Sequence, residues 1–281
     1  MSASPPPSRP DSLPDWLDEL IARAREADGQ PPFSDQALVD ARRGEREILA
    51  LGDFGVALLA TTGAGAEAEF VVAPDARGHG HGTALVEALV EASPRSLLIW
   101  AHGDHPAARA LAARFGFDSV RRLLQLRADV VEPAPGQAPL SAFVPGTDDA
   151  EWLALNARAF AAHPEQGSVS QADLDELRRE PWYSDADFLV LRENGAMIGY
   201  CWLKIEDSVG EFYVVGVDPD RQGAGLGRRL VAAGLGHLAA RGIRTASLYV
   251  ESDNDAAVRL YRSFGFTDYS IDIQYSLRRF G

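Results

Sequence analysis

Two segments of this chain repeat one another, and that repetition limits the available folds more than any other feature. Around Val72 the chain reads "VVAPDARGHGHGTALVEALVEA", and around Val217 it reads "GVDPDRQGAGLGRRLVAAGLGHL". Pro74 matches Pro219, and Gly78, Gly80 and Gly82 match Gly223, Gly225 and Gly227. Downstream, "HPAARALAARFGF" (His105 to Phe117) matches "NDAAVRLYRSFGF" (Asn254 to Phe266). The unit spans about 140 residues, which is a domain and not a solenoid repeat. A segment rich in Pro and Ala, residues 131–141, reads as a linker. The expected division is a flexible tail over 1–14, one domain over 15–130 and a second over 142–281.

Within each unit the apolar pattern places helices first. They are expected over 15–27 and 35–43, and over 150–162 and 171–179. Strand-like runs follow at 56–61 and 67–73, then at 188–192, 197–205 and 211–217. After the second glycine loop, Leu226, Leu230, Ala233 and Leu238 recur at helical spacing. A strand (96–101; 245–251), a short helix and a last strand complete each unit. This interleaving predicts a mixed α/β fold with one sheet per half. "RRGER", Arg42 to Arg46, reads as a solvated helix end.

Composition removes whole classes of function. No apolar run approaches the roughly 20 residues a membrane span requires, and the first residues lack the apolar stretch of a secretory signal. Cys201 is the only cysteine, so neither a disulfide framework nor a thiolate zinc site is available, and a reducing cytosol is expected. The net charge of −14 argues against nucleic acid, which needs clustered Lys and Arg. No metal is expected either. His163 has no second ligand at a helical or hairpin spacing, and His79 and His81 have no carboxylate or cysteine pattern around them. The latter two border a phosphate site or solvent.

The glycine loop can be tested against known phosphate loops. A Walker loop ends in Gly-Lys-Ser/Thr, but Gly227 is followed by Arg228 and Arg229. A dinucleotide fingerprint requires a third glycine where Arg228 stands. What remains is Gln222-Gly223-Ala224-Gly225-Leu226-Gly227 leading into a helix. Glycines let backbone approach a ligand closely, and the unpaired amides and positive end of a helix attract a pyrophosphate. Arg221, Arg228 and Arg229 add local positive charge. A tight strand-to-helix turn with no ligand is the alternative, and the second copy of the loop weakens it.

Val-x-Pro-x-x-Arg-Gln-Gly-x-Gly-x-Gly, followed by Asn-x-x-Ala-x-x-Leu-Tyr-x-x-x-Gly-Phe, resembles the GNAT acetyltransferase superfamily, and the likeness covers both halves. It implies two tandem GNAT acyltransferase domains that use acetyl-coenzyme A (acetyl-CoA). In the second half it implies cofactor contacts along Val215, Gly216 and Val217, where the pantetheine arm pairs like an added strand. Further contacts are implied at residues 222–228, and at Asn254, Asp255, Ala256, Ala257, Val258 and Arg259. In the first half the matching positions are Phe70, Val71 and Val72, then Arg77, Gly78, His79, Gly80, His81, Gly82 and Thr83.

The halves differ where chemistry is expected. Asn254 and Tyr261 in the second half stand opposite His105 and Ala112 in the first. Family members often use a tyrosine at the position of Tyr261 as general acid toward the thiolate. A phenol with a reference pKa of about 10 keeps its proton at neutral pH; plain helix packing beside Leu260 is the alternative. Glu211 opens the strand Glu-Phe-Tyr-Val-Val-Gly-Val. By alternation it shares a face with Tyr213 and Val215, where the acetyl group is expected, which makes it a candidate base. A solvated carboxylate at a strand end is the competing reading. A backbone N–H near Val215 is expected to stabilise the oxyanion. The first half, lacking Asn and Tyr, is expected to bind acetyl-CoA without turnover.

The second half further resembles the mycothiol synthase family of tandem GNAT enzymes. The stretches are "NARAFAAHPEQGSVS", "WLKIED", "GEFYVVGVDP" and "LYVESDNDAAVRLYRSFGF". The resemblance implies acetylation of the cysteinyl amine of a cysteine–glucosamine–inositol pseudodisaccharide. It also implies substrate contacts at Glu165, Lys204, Glu211 and Tyr249, and an acidic one from the first half at Asp35. Asp35 is shorter than the glutamate expected there and equally suits a first helical turn. A monomer is expected. The competing readings are a GNAT enzyme for another small amine or a protein amino terminus, and a non-catalytic acyl-CoA-binding protein.

Overall fold

A computed structural model describes residues 6–62, 65–93, 95–131, 140–161, 164–206 and 208–278. The helices and strands run, in order, α1 (Leu17–Asp28), α2 (Asp35–Arg42), β1 (Glu47–Ala50), β2 (Gly55–Thr62), β3 (Gly65–Val72), α3 (His81–Ala92), β4 (Ser96–Ala101), α4 (Pro106–Phe115) and β5 (Asp118–Asp129). They continue as β6 (Ser141–Ala142), α5 (Asp149–Ala159), α6 (Pro164–Gly167), α7 (Gln171–Leu177), β7 (Phe188–Glu193), β8 (Ala196–Glu206), β9 (Val209–Val217), α8 (Leu226–Ala240), β10 (Thr245–Glu251), α9 (Asp255–Arg262) and β11 (Thr267–Arg278). The two-residue β6 and the four-residue β1 are too short to leave a periodic signal. The expected linker lies mostly at 132–139, outside the described residues.

The chain forms two compact units, and neither is a contiguous half. One holds residues 1–124, 251–253 and 270–281; the other holds 125–250 and 254–269. In the first unit β2 pairs with β1 and β3 antiparallel, β3 with β4 parallel, and β4 with residues 273–278 of β11 antiparallel. In the second, β8 pairs antiparallel with β7 and β9, β9 runs parallel to β10, and residues 125–129 of β5 lie beside β10. Each unit therefore takes its last strand from the other half of the sequence, which a split at 130–142 does not anticipate. A last strand is specified by the ladder it joins, and periodicity carries no record of that partner.

Residues 6–14 are anchored, contrary to a flexible tail. Ser8 exchanges backbone hydrogen bonds with Ala50 (2.7 and 2.9 Å), and Leu13 packs on the core under α1 and α2. "RRGER" also differs from its reading: Arg46 is buried, with Asp40 at 3.3 Å and Glu67 at 3.6 Å. Burying a guanidinium is tolerable only because these carboxylates face it.

The second unit's core centres on Trp152, Trp202, Tyr200, Phe143 and Phe188, whose rings meet stacked or edge-on at 4.3–6.0 Å. Such contacts hold β7 and β8 against α5 by apolar burial and quadrupole geometry. On the opposite sheet face, α8 lies so close that a Cβ at Gly234 would meet Phe212 at 2.5 Å and the Cys201 sulfur at 3.0 Å.

Candidate active site

The second glycine loop leaves β9 through a short 3-10 turn, Pro219–Arg221. Gly223 (φ 81°) and Gly225 (φ 75°) adopt the left-handed region. A side chain there is strained although it would meet nothing within 4 Å. The first helical bond of α8 is donated by Arg229 N–H to the Gly225 carbonyl. The amides of Leu226, Gly227 and Arg228 precede that ladder and lie at the positive end of a 15-residue helix. Arg221 pairs with Glu193 at 2.7 Å, and Arg228 turns to the Ser263 hydroxyl (3.0 Å) and the Phe264 ring (5.0 Å). With these two side chains engaged elsewhere, what the loop offers an anion is chiefly its backbone N–H groups.

Beside the loop, the β9–β10 register ends at Phe212↔Leu248. Beyond it, Val215, Gly216 and Val217 keep their β8 partners Cys201, Tyr200 and Gly199 and have no register with β10. An open strand edge leading to a helix amino terminus fits an extended amide-containing arm carrying a diphosphate. Asn254 caps α9 by accepting from the Ala257 N–H at 3.1 Å. Asp255, Ala256, Ala257, Val258 and Arg259 form its first turns, with Arg259 3.8 Å from Asp255.

A bulge decides which side chains face which side. Trp202 pairs with Val214 while its neighbour Leu203 pairs with Phe212, so Tyr213 is the extra residue. Lys204↔Glu211 and Trp202↔Val214 lie on one face, and Leu203↔Phe212 and Cys201↔Val215 on the other. Simple alternation put Glu211 and Val215 together; the inserted residue puts them on opposite faces. Glu211 stands across from Lys204 on the aromatic face. Ser247 pairs with Glu211, so Tyr249, two residues on and exposed, projects to that same face. Lys204 also holds Glu206 at 2.9 Å.

Tyr261 lies on the α8 side. Its ring is buried, edge-on to Phe266 at 5.8 Å, and Phe266 in turn meets Phe212 at 5.9 Å. Burial, then the neighbouring Cys201, pushes its pKa well up, so it is a protonated phenol at neutral pH. Cys201 is fully buried and its thiol pKa is likewise raised by burial. It is no nucleophile, since the thiolate is the reactive form.

Glu165 stands in α6, and its side chain lies outside the described residues, as does His163. Asp35 is the first residue of α2 in the other unit, just after the N-cap Ser34.

The first unit repeats the cradle. The β3–β4 register ends at Glu69↔Trp100, and past it opens a cavity of about 1020 Å³ lined by Phe70, Val71, Val72 and residues 77–83. Gly78 and Gly80 are left-handed like their counterparts, and α3 begins its ladder with Ala84 N–H to the Gly80 carbonyl. Arg77 is already committed, bidentate to Asp28 at 2.7 Å and donating to the Val72 carbonyl at 3.2 Å. His81 stacks on Phe54 at 4.9 Å. Ala112 supplies no phenol.

One cluster here left no signal in the sequence. His102 lies between Glu69 and Asp272, each at 3.1 Å, and Glu69 accepts from the Ser34 backbone N–H (2.6 Å) and hydroxyl (2.7 Å). Burial opposes the imidazolium, but hydrogen bonds to Asp272 and Glu69 raise its pKa to about 10. The charge pair knits α2, β3, β4 and β11 together. Among the described residues no His, Cys, Asp and Glu cluster can hold a metal, and no helix is long and apolar enough to cross a membrane.

Comparison with known proteins follows the same duplication. The acetyltransferase (GNAT) family model matches residues 10–117 and 152–266. The chain is 46% identical to a mycothiol acetyltransferase of Clavibacter michiganensis subsp. michiganensis, over 98% of this chain and 99% of that protein. It is 46% identical to one of Streptomyces avermitilis (91% and 89% covered) and 43% identical to one of Streptomyces coelicolor (96% of each). Among solved structures, a GCN5-related N-acetyltransferase from Sphaerobacter thermophilus superposes with a TM-score of 0.75 at 21% identity, covering 97% and 95%. A tandem GNAT protein from the clavulanic acid biosynthesis pathway gives 0.69 at 18%, covering 97% of each chain. The last two likenesses concern the fold.

Proposed function

The chain belongs to the acetyltransferase (GNAT) family and, within it, to the mycothiol acetyltransferases, and on that premise we propose that it acetylates the cysteinyl amine of a cysteine–glucosamine–inositol pseudodisaccharide in a direct transfer. Acetyl-CoA, when bound, supplies the thioester carbonyl and the leaving thiol. Leu226, Gly227 and Arg228 would hold its diphosphate with backbone N–H groups, and Val215 to Val217 would pair with its arm.

The observation that carries this reading is the separation of the two candidate proton-handling groups. Glu211 and Lys204 occupy one face of β9 and β8, while Tyr261 occupies the other, and the β9–β10 ladder opens beside them. Direct transfer needs a base on the amine side and an acid on the thiol side. Glu211 takes the ammonium proton, directly or through one water; an α-amine with a pKa near 8 needs little help. Tyr261, protonated by burial, donates to the departing sulfur, and the second proton that nitrogen sheds as the amide forms returns through solvent to the phenolate. Lys204 and Tyr249 donate to sugar hydroxyls. With Cys201 buried as a thiol, no residue here supports a cysteine-linked acyl-enzyme.

The first unit, with the same cradle and Ala112, holds a second acetyl-CoA without turning it over. The protein acts as a cytosolic monomer on a small-molecule acceptor. The deciding experiment incubates the protein with acetyl-CoA and the cysteinyl pseudodisaccharide and weighs the product. One acetyl group on nitrogen, with free CoA released, is the expected result. Acetylation only of other amines, such as an aminoglycoside or a peptide amino terminus, overturns the substrate; no transfer to any amine overturns the enzyme.

A further inference from the structure

Trp182 belongs to none of the roles assigned so far. It lies in the turn between α7 and the 3-10 turn Asp185–Asp187 and is only partly buried. Its indole rests against Tyr213, the bulge residue, at 5.1 Å and against Trp202 at 5.8 Å. The Lys204 ammonium stands 5.4 Å from its ring centroid, and Lys204 is the cross-strand partner of Glu211. A braced, partly exposed indole is thus fixed beside the charged pair of the candidate site.

We propose that Trp182 is the platform for the sugar portion of the acceptor, and so sets specificity for a glycosylated amine over a bare one. This rests on the acetyl-transfer reading above. A sugar ring has a face of C–H bonds and a rim of hydroxyls. The electron-rich face of an indole suits the first, and Lys204 and Glu211 suit the second. Trp182 touches no reacting atom in this account; it positions the acceptor so that the amine meets Glu211.

The test compares two acceptors, the cysteinyl pseudodisaccharide and cysteine amide, which has the amine and thiol but no sugar. Trp182→Ala should raise KM about tenfold for the pseudodisaccharide, the size of one lost aromatic contact. It should leave KM for cysteine amide and for acetyl-CoA within about twofold, and Trp182→Phe should restore most of the loss. Equal losses on both acceptors, or no loss on either, overturn the proposal. A second measurement does not depend on catalysis or on the alanine variant folding. Glucosaminyl-inositol alone should quench tryptophan fluorescence in the native protein and not in Trp182→Phe. Quenching that persists in that variant overturns the platform. If the native protein fails to acetylate the pseudodisaccharide, the functional reading fails, and the fluorescence titration still judges the platform.

Discussion

The two units present the same cradle and differ in a handful of atoms beside it. In both, a parallel strand pair loses its register next to a glycine loop and a helix amino terminus. In both, the following short helix is capped by a side chain: His105 Nδ1 accepts from the Ala107 N–H and Asn254 from the Ala257 N–H, each at 3.1 Å. Yet β3 pairs with β2 in unbroken register from Gly55↔Val72 to Thr62↔Gly65, whereas β9 carries the Tyr213 bulge. The phenol of Tyr261 has Ala112 as its counterpart. The backbone geometry proposed to hold the cofactor is duplicated. The bulge and the phenol, on which the proposed reaction depends, occur in the second unit and have no counterpart in the described part of the first.

The sharpest way to break this comparison is Tyr261→Phe. If turnover belongs to the second unit, kcat should fall about 10³-fold, within the range for losing a general acid, with unchanged circular dichroism. Ala112→Tyr should add no activity, because the first unit lacks the bulge and its carboxylate at the register position of Glu211, Glu67, is held by Arg46 and Gln274. Next in size, Glu211→Gln should lower kcat/KM about 10²-fold near pH 7. That deficit should shrink as pH rises past the α-amine's pKa near 8, since the acceptor then arrives deprotonated; a pH profile of both proteins reads this directly.

Smaller still, Gly225→Ala should raise KM for acetyl-CoA about tenfold, because the left-handed backbone costs about 1–2 kcal/mol for a residue with a side chain. Gly80→Ala should leave steady-state KM unmoved and weaken only the second binding event seen by calorimetry. The least effect on turnover is expected from His102. Its folded pKa lies above its unfolded value, so its contribution is complete below about pH 6.5 and disappears as pH rises through about 10. The melting temperature should therefore fall progressively between about pH 6.5 and 10 and level off above that. His102→Gln should melt lower at pH 7 and lose that drop, because Glu69 and Asp272 are left facing each other.

The chain's own pattern determined much of this protein. Repeated glycines after an apolar run, and Asn254 to Phe266 downstream, identify a strand–loop–helix cradle and its duplication, since loop conformation and helix start are local properties. Strands 96–101 and 245–251 are likewise marked by their own apolar runs. Tertiary structure alone decided what depends on partners. The bulge at Tyr213 is visible only against β8, and it moves Glu211 off the face of Val215. The anchoring of Ser8, the exchange of last strands between units, the Glu69–His102–Asp272 chain and the seat of Trp182 beside Lys204 all join residues far apart in sequence. Periodicity reports which face of an element is apolar. It does not report which ladder that element joins, and so cannot say which side chains meet.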